Sequence, residues 1–214
     1  MRISKLEPSQ RVKGRWLVWL DDGSLLRISE NEVISFALHT GMELTEDAFD
    51  ALTAAAGASA VRNRALDLIS ARPLSRRELI QKLTARPRDR ERPPLATPEQ
   101  AGEAADWLEG LGYLNDAAYA GMVARHYSAK GYGERKVRDE LFRRGVPRDL
   151  WDAALEEVQP PEEGVDAFLH SRLKGRDPDA RELKRVSDAL ARRGYRWNEI
   201  REGLRRYGAE IEEE

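Results

Sequence analysis

The 214-residue chain contains no cysteine. Disulfides and thiolate metal sites are thereby excluded, and a reducing compartment is the natural expectation. Histidine is nearly as scarce: His39, His126 and His170 stand far apart, without the spacings that metal ligands use. No apolar run approaches the ~18 residues of a bilayer span, and Met1-Arg-Ile-Ser-Lys5 does not open a signal peptide. A soluble cytoplasmic protein without membrane attachment is expected. Catalytic signatures are missing too. There is no Gly-x-Ser-x-Gly elbow, and Gly131-Tyr-Gly133 lacks the further glycines and preceding strand of a phosphate loop, so it reads as a helix–helix turn. No catalytic residue, cofactor or metal is expected, and the chain reads as a non-enzyme.

What is present is charge. Charged residues make up 35% of the chain and hydrophobic ones 41%, enough for a thin core, while the net charge is only −2. The balance is uneven. Residues 1–57 carry nine acids against six bases, 125–148 eight bases against three acids, and 172–206 twelve bases against six acids. Many acids precede a base by four positions: Glu134–Arg138, Asp139–Arg143, Glu140–Arg144, Asp188–Arg192 and Glu202–Arg206. That order supports isolated helices, so ion pairing explains these carboxylates better than acid–base catalysis.

A phrase recurs in the basic stretches. Lys136-Val-Arg-Asp-Glu-Leu-Phe-Arg-Arg-Gly145 is echoed by Arg185-Val-Ser-Asp-Ala-Leu-Ala-Arg-Arg-Gly194, and more faintly by Glu78-Leu-Ile-Gln-Lys-Leu83. Trp151 and Ile200 lie six residues past the glycines, and Leu155 and Leu204 ten past. The period is roughly 50 residues, the mark of a repeat architecture. Helix caps and breaks divide each repeat into three helices, too few to bury their own apolar faces unless neighbours stack. The expected fold is mainly α: tandem three-helix repeats at 58–114, 115–159 and 160–214 forming an elongated, curved array. The charged, Pro-rich stretch 86–94 is expected as a mobile loop, and Glu210–Glu214 as a frayed end.

Residues 1–57 read differently. Three strands are expected at Arg2–Glu7, Arg15–Leu20 and Ser24–Ile28, the last two joined by Asp21-Asp-Gly23, a hairpin signal. Ser29 with Glu32 caps a helix expected to reach about His39, and Thr45 caps another expected to reach about Ala56. The result is a small β-meander with helices. Trp19 fits sheet core, with an exposed binding aromatic as the alternative.

Three segments carry a family resemblance. Arg64-Ala-Leu-Asp-Leu-Ile-Ser-Ala-Arg-Pro-Leu-Ser-Arg-Arg-Glu-Leu79, Leu108-Glu-Gly-Leu-Gly-Tyr-Leu-Asn-Asp116 with Tyr119-Ala120, and Lys130-Gly-Tyr-Gly-Glu-Arg-Lys-Val-Arg-Asp-Glu-Leu141 continuing to Arg143-Arg-Gly-Val146 resemble, in this order, the RecX family, bacterial regulators of the RecA recombinase. The resemblance covers about 60–210, and the N-terminal strands resemble an extension of some members. It implies tandem three-helix repeats lying along the RecA–single-stranded-DNA filament and suppressing its ATPase, strand-exchange and coprotease activities. It also implies a monomer acting in homologous recombination, DNA repair and the SOS response.

Basic repeats suit acidic protein lobes or phosphates. The candidate contact residues are bases not neutralised within their own helix: Arg76, Arg77, Arg125, Lys130, Arg135, Lys136, Arg192 and Arg193. Tyr132 and Tyr113 are either contact aromatics or packing residues at helix ends. Gly112, Gly131, Gly145 and Gly194 fit backbone geometry at helix ends. A competing reading is direct DNA binding through the basic faces, with single-stranded DNA touched directly or through RecA. Against it stand the near-neutral charge and the lack of a helix-turn-helix or aromatic platform.

Overall fold

The computed structural model describes residues 1–87, 91, 93–176 and 178–208. The 86–94 stretch lies partly outside these residues, and the acidic terminus Glu210–Glu214 wholly so. The chain forms two compact units. One holds Met1–Arg72 with Leu79–Leu111, and the other Pro73–Glu78 with the chain from Gly112 onward.

In the first unit, β1 (Ile3–Pro8), β2 (Arg15–Leu20) and β3 (Leu25–Ser29) form an antiparallel sheet in that order. The β2–β3 register pairs Trp16 with Ile28 and Val18 with Leu26, so alternation puts Val18, Leu20 and Ile28 on one buried face. The hairpin turns at Asp22, whose carboxylate accepts from the Ser24 amide at 2.8 Å. Trp19 is half-buried on the opposite face. Helix α1 (Glu30–Ser35) is shorter than the spacing predicts. The chain leaves it at Phe36 and turns through Ala37 at φ 48°. This buries Leu38 in the sheet core, which further helix would have carried away.

Thr45 caps α2, accepting from the Ala48 amide at 3.2 Å. The helix then runs unbroken over Glu46–Ala71, where the sequence suggested two helices parted near Gly57. An exposed helix-interior glycine costs about 1 kcal/mol relative to alanine. The alanines around it and the burial of Leu52, Val61 and Ala65 outweigh that. Helix α4 (Pro98–Gly110) is capped by Thr97 and Gln100 in reciprocal bonds, and packs Ala101, Ala104, Ala105 and Leu108 inward against α2. Helix α3 (Arg76–Leu83) crosses the division between the units.

The second unit contains two complete three-helix repeats. Helices α5 (Asp116–Ala129), α6 (Glu134–Arg143) and α7 (Trp151–Leu155, preceded by a 3-10 turn) enclose Tyr119, Ala120, Val123, Val137, Leu141 and Ala154. Helices α8 (Pro161–Leu173), α9 (Ala180–Arg192) and α10 (Trp197–Tyr207) enclose Val165, Leu169, Val186, Leu190, Ile200 and Leu204. The tandem three-helix organisation and the small N-terminal sheet are both present. The ion pairs differ in detail. Arg206 forks onto Asp166 of α8 at 2.7–3.2 Å in place of Glu202, and Arg143 takes Glu140 at 2.5 Å in place of Asp139. Asp188 and Arg192 form no ion pair among the described residues.

The repeated Arg-Arg-Gly phrase is where repeats join. At the start of α6, the Gly133 amide donates to the Arg193 carbonyl at 2.9 Å and the Arg135 amide to the Gly194 carbonyl at 3.3 Å. A helix start has unsatisfied amides and a helix end unsatisfied carbonyls, so each end satisfies the other. One repeat earlier, Ser75 at the start of α3 donates its hydroxyl to the Arg144 carbonyl, and the Arg77 side chain lies against Gly145. Both glycines have positive φ, 68° and 91°. A Cβ on Gly194 would fall 2.7 Å from Lys136 Cβ and closer still to its amide. Gly175 has a similar φ of 73° but open space around it. Gly194→Ala is therefore expected to cost about 3 kcal/mol and Gly175→Ala about 1 kcal/mol. Urea midpoints of the two variants would show the difference, and equal losses would contradict a close-packed junction.

Candidate partner interface

The surface around α6 is built from the inside outward. Val137 and Leu141 are fully buried, and the same inward stripe brings in Glu140, 2% exposed. A buried carboxylate must be fully hydrogen-bonded to remain charged. Glu140 accepts from Lys136 at 3.2 Å, from Arg143 at 2.5 Å and from Arg144. Burial alone would raise its pKa; hydrogen bonds from Arg144, Lys136 and Tyr127 prevail and hold it at about 2. Arg144 also donates to the Tyr127 hydroxyl at 3.3 Å and lies 5.4 Å above that ring.

The candidate contact residues divide into three groups. Lys136 is neutralised by Glu140 of its own helix, which corrects the premise on which it was chosen: Glu140 sits inside, and a lysine one turn earlier is placed to cover it. Arg125 reaches Glu157 at 3.2 Å, and Arg76 is engaged as well, its amide bonding Asp116 at 2.8 Å. Arg193 and Tyr132 act within the fold. The guanidinium donates to the carbonyls of Lys130 and Gly131, both at 3.1 Å. It lies 5.3 Å from the Tyr132 ring and 4.8 Å from Phe168, and Tyr132 also meets Tyr127 at 5.6 Å. Lys130, Arg135 and Arg192 are exposed, with no side-chain partner among the described residues. Arg77 likewise keeps its guanidinium unpaired there, while its stem packs at Gly145.

Sequence reasoning missed Phe142. It is 60% exposed on the outer face of α6, in line with Arg135 and Asp139 at helical spacing and beside Arg143. Its counterpart in the next repeat is Ala191, so the difference between the two copies was the available signal. Trp197 and Met122 are also exposed apolar residues of this unit, as is Tyr113. Among the described residues no three His, Asp or Glu side chains form a metal-binding group, and no helix is long and apolar enough to cross a membrane.

Comparison with known proteins bears on this region directly. Residues 115–155, which are α5 to α7 with the Glu140 cluster, match the model of the second three-helix domain of RecX. The regulatory protein RecX of Xanthomonas oryzae pv. oryzae (strain MAFF 311018) is 35% identical over 144 residues, 66% of this chain and 85% of that protein. The chain belongs to the RecX family of regulatory proteins. The RecX of Leptothrix cholodnii is 32% identical over 146 residues, 68% and 87% of the two chains. Among solved structures, a crystal structure of regulatory protein RecX aligns over 94% of this chain and 98% of its own, with TM-score 0.66 and 24% identity. RecX from Lactobacillus salivarius aligns over 71% and 97%, with TM-score 0.60 and 18% identity. These two share the fold.

The cluster at Glu140 predicts acid sensitivity. Its carboxyl titrates lower in the folded chain than the ordinary value near 4.5. The stabilisation is complete above that ordinary value and lost as pH falls through about 2. Glu140→Gln should cost about 2–4 kcal/mol at pH 7 and flatten the pH dependence across that window. Urea unfolding of both proteins over the acid range measures this, and parallel profiles would refute it.

Proposed function

We propose that the protein binds the RecA–single-stranded-DNA filament and inhibits its recombinase, ATPase and coprotease activities, catalysing nothing itself. The observation that carries the reading is the outward face of α6. Phe142 stays exposed on the face that also carries the unpaired Arg135, while Lys136, Arg143 and Arg144 are held around Glu140. Aromatic and arginine side chains supply most of the binding energy at protein interfaces, and the core of the repeat has no use for this phenylalanine. Membership of a family of regulatory proteins supports the reading. On this reading the protein acts in the cytoplasm as a monomer, in homologous recombination, DNA repair and the SOS response.

A second reading, direct DNA contact through the repeats, is favoured by Lys130, Arg135 and Arg192, exposed and unpaired among the described residues. It requires DNA binding without RecA that weakens steeply with salt.

The test is RecA's DNA-dependent ATPase with substoichiometric protein. Inhibition is expected, and Phe142→Ala with Arg135→Ala should raise the half-inhibitory concentration about ten-fold or more at an unchanged urea midpoint. No inhibition and no co-sedimentation with the filament would sink the proposal.

A further inference from the structure

The first unit contains a solvent-open groove of about 960 Å³ between the sheet and α2. It lies apart in sequence from the α6 residues on which the RecA reading rests. Lys13, Arg15 and Arg27 line its sheet side, Arg62 and Arg64 its helix side, and Trp107 of α4 also borders it. Arg15 pairs with Ser29 across the strands, and Arg27 lies two residues before Ser29. The two arginines therefore share one sheet face as diagonal neighbours.

The five bases are exposed, and none has a side-chain hydrogen bond or ion pair among the described residues. This contrasts with α6, where Lys136, Arg138, Arg143 and Arg144 are all paired. The acids on the lining are Glu30 and Asp67, leaving an excess of positive charge. The nearby Glu32 cannot serve the groove. It is 5% exposed, and its carboxylate is taken by the Ser29 amide at 2.7 Å and the Ser59 hydroxyl at 2.5 Å. Clustered, unpaired cations repel one another and favour a ligand that brings several negative charges at once.

Trp107 narrows the choice. It is half-buried, with the Arg62 guanidinium 5.7 Å above its ring. A basic groove bordered by an aromatic with an arginine over it is the combination that holds single-stranded nucleic acid, because phosphates meet the bases while a nucleobase finds a flat partner. A duplex offers no unstacked base, and an acidic peptide would leave the ring unused.

We infer that this groove binds the phosphodiester backbone of a single-stranded nucleic acid, with one base stacked at Trp107 and Arg62. The test uses the full chain and a fluorescein-labelled oligothymidylate, read by anisotropy over a sodium chloride series. Arg15→Ala with Arg27→Ala should weaken binding about ten-fold and reduce the slope of log affinity against log salt by roughly 1.4, or ~0.7 for each phosphate no longer neutralised. Trp107→Leu should weaken binding by a similar factor. Arg62→Ala with Arg64→Ala does the same without disturbing a packed aromatic. Phe142→Ala should leave oligothymidylate affinity unchanged, so failure of the groove and failure of the RecA contact read out separately. Unchanged affinity and slope in both arginine pairs would overturn the inference. So would a Phe142→Ala loss equal to that of the Arg15/Arg27 pair. Competition by polyglutamate as strong as by unlabelled oligothymidylate, with Trp107→Leu silent, would also overturn it and assign the groove to an acidic protein segment.

Discussion

The second unit depends on helix ends that satisfy one another. An α-helix begins with amides that lack acceptors and ends with carbonyls that lack donors, and its dipole makes the start positive and the end negative. At the α6–α9 junction these needs cancel across repeats, through the carbonyls of Arg193 and Gly194 and the amides of Gly133 and Arg135. The contact is between backbones, so it tolerates almost any side chain nearby except at the glycine, where a Cβ has no room. Core packing within each repeat is ordinary leucine and valine burial. The junction is what gives neighbouring repeats a fixed register.

The two arginines before that glycine have separate duties. The second, Arg144 or Arg193, turns back over aromatic rings, Tyr127 in one case and Tyr132 with Phe168 in the other, and secures the end of its repeat. The first stays on the surface: Arg143 is exposed while reaching Glu140, and Arg192 is exposed with no ion pair among the described residues. A basic stretch that looks uniform thus contains structural and surface cations in alternation. In the first unit Arg62 alone of the groove bases lies over a ring, and none of the five has a side-chain hydrogen bond or ion pair among the described residues, which is why they read as a site.

Most of the fold was legible because it is written in local signals. Asp-Gly fixed the hairpin, Ser29 and Thr45 fixed helix starts, and the repeated phrase ending in Arg-Arg-Gly fixed the helices α6 and α9. Continuity through Gly57 was not legible, since a glycine's local cost is visible in sequence and the burial on either side of it is not. The interface was read less well. Counting acids four residues away treats every helix as isolated, yet Arg206 chose Asp166 from a neighbouring helix and Arg125 chose Glu157. Lys136 was lost to Glu140 because a buried glutamate collects every cation within reach. Phe142 escaped notice because an aromatic in a helical stripe suggests core until its face is known.

The caps also differ in where their acceptors come from. Helix α6 begins at Gly133, which offers no side-chain acceptor, and it takes its acceptors from the following repeat. Helix α9 holds the same place in the last repeat but begins at Asp179, whose carboxylate accepts from the Glu182 amide at 2.7 Å. The same place in the repeat is thus held from outside in α6 and from within in α9, so a shift of the Arg193–Gly194 turn would loosen the start of α6 and leave the cap of α9 intact.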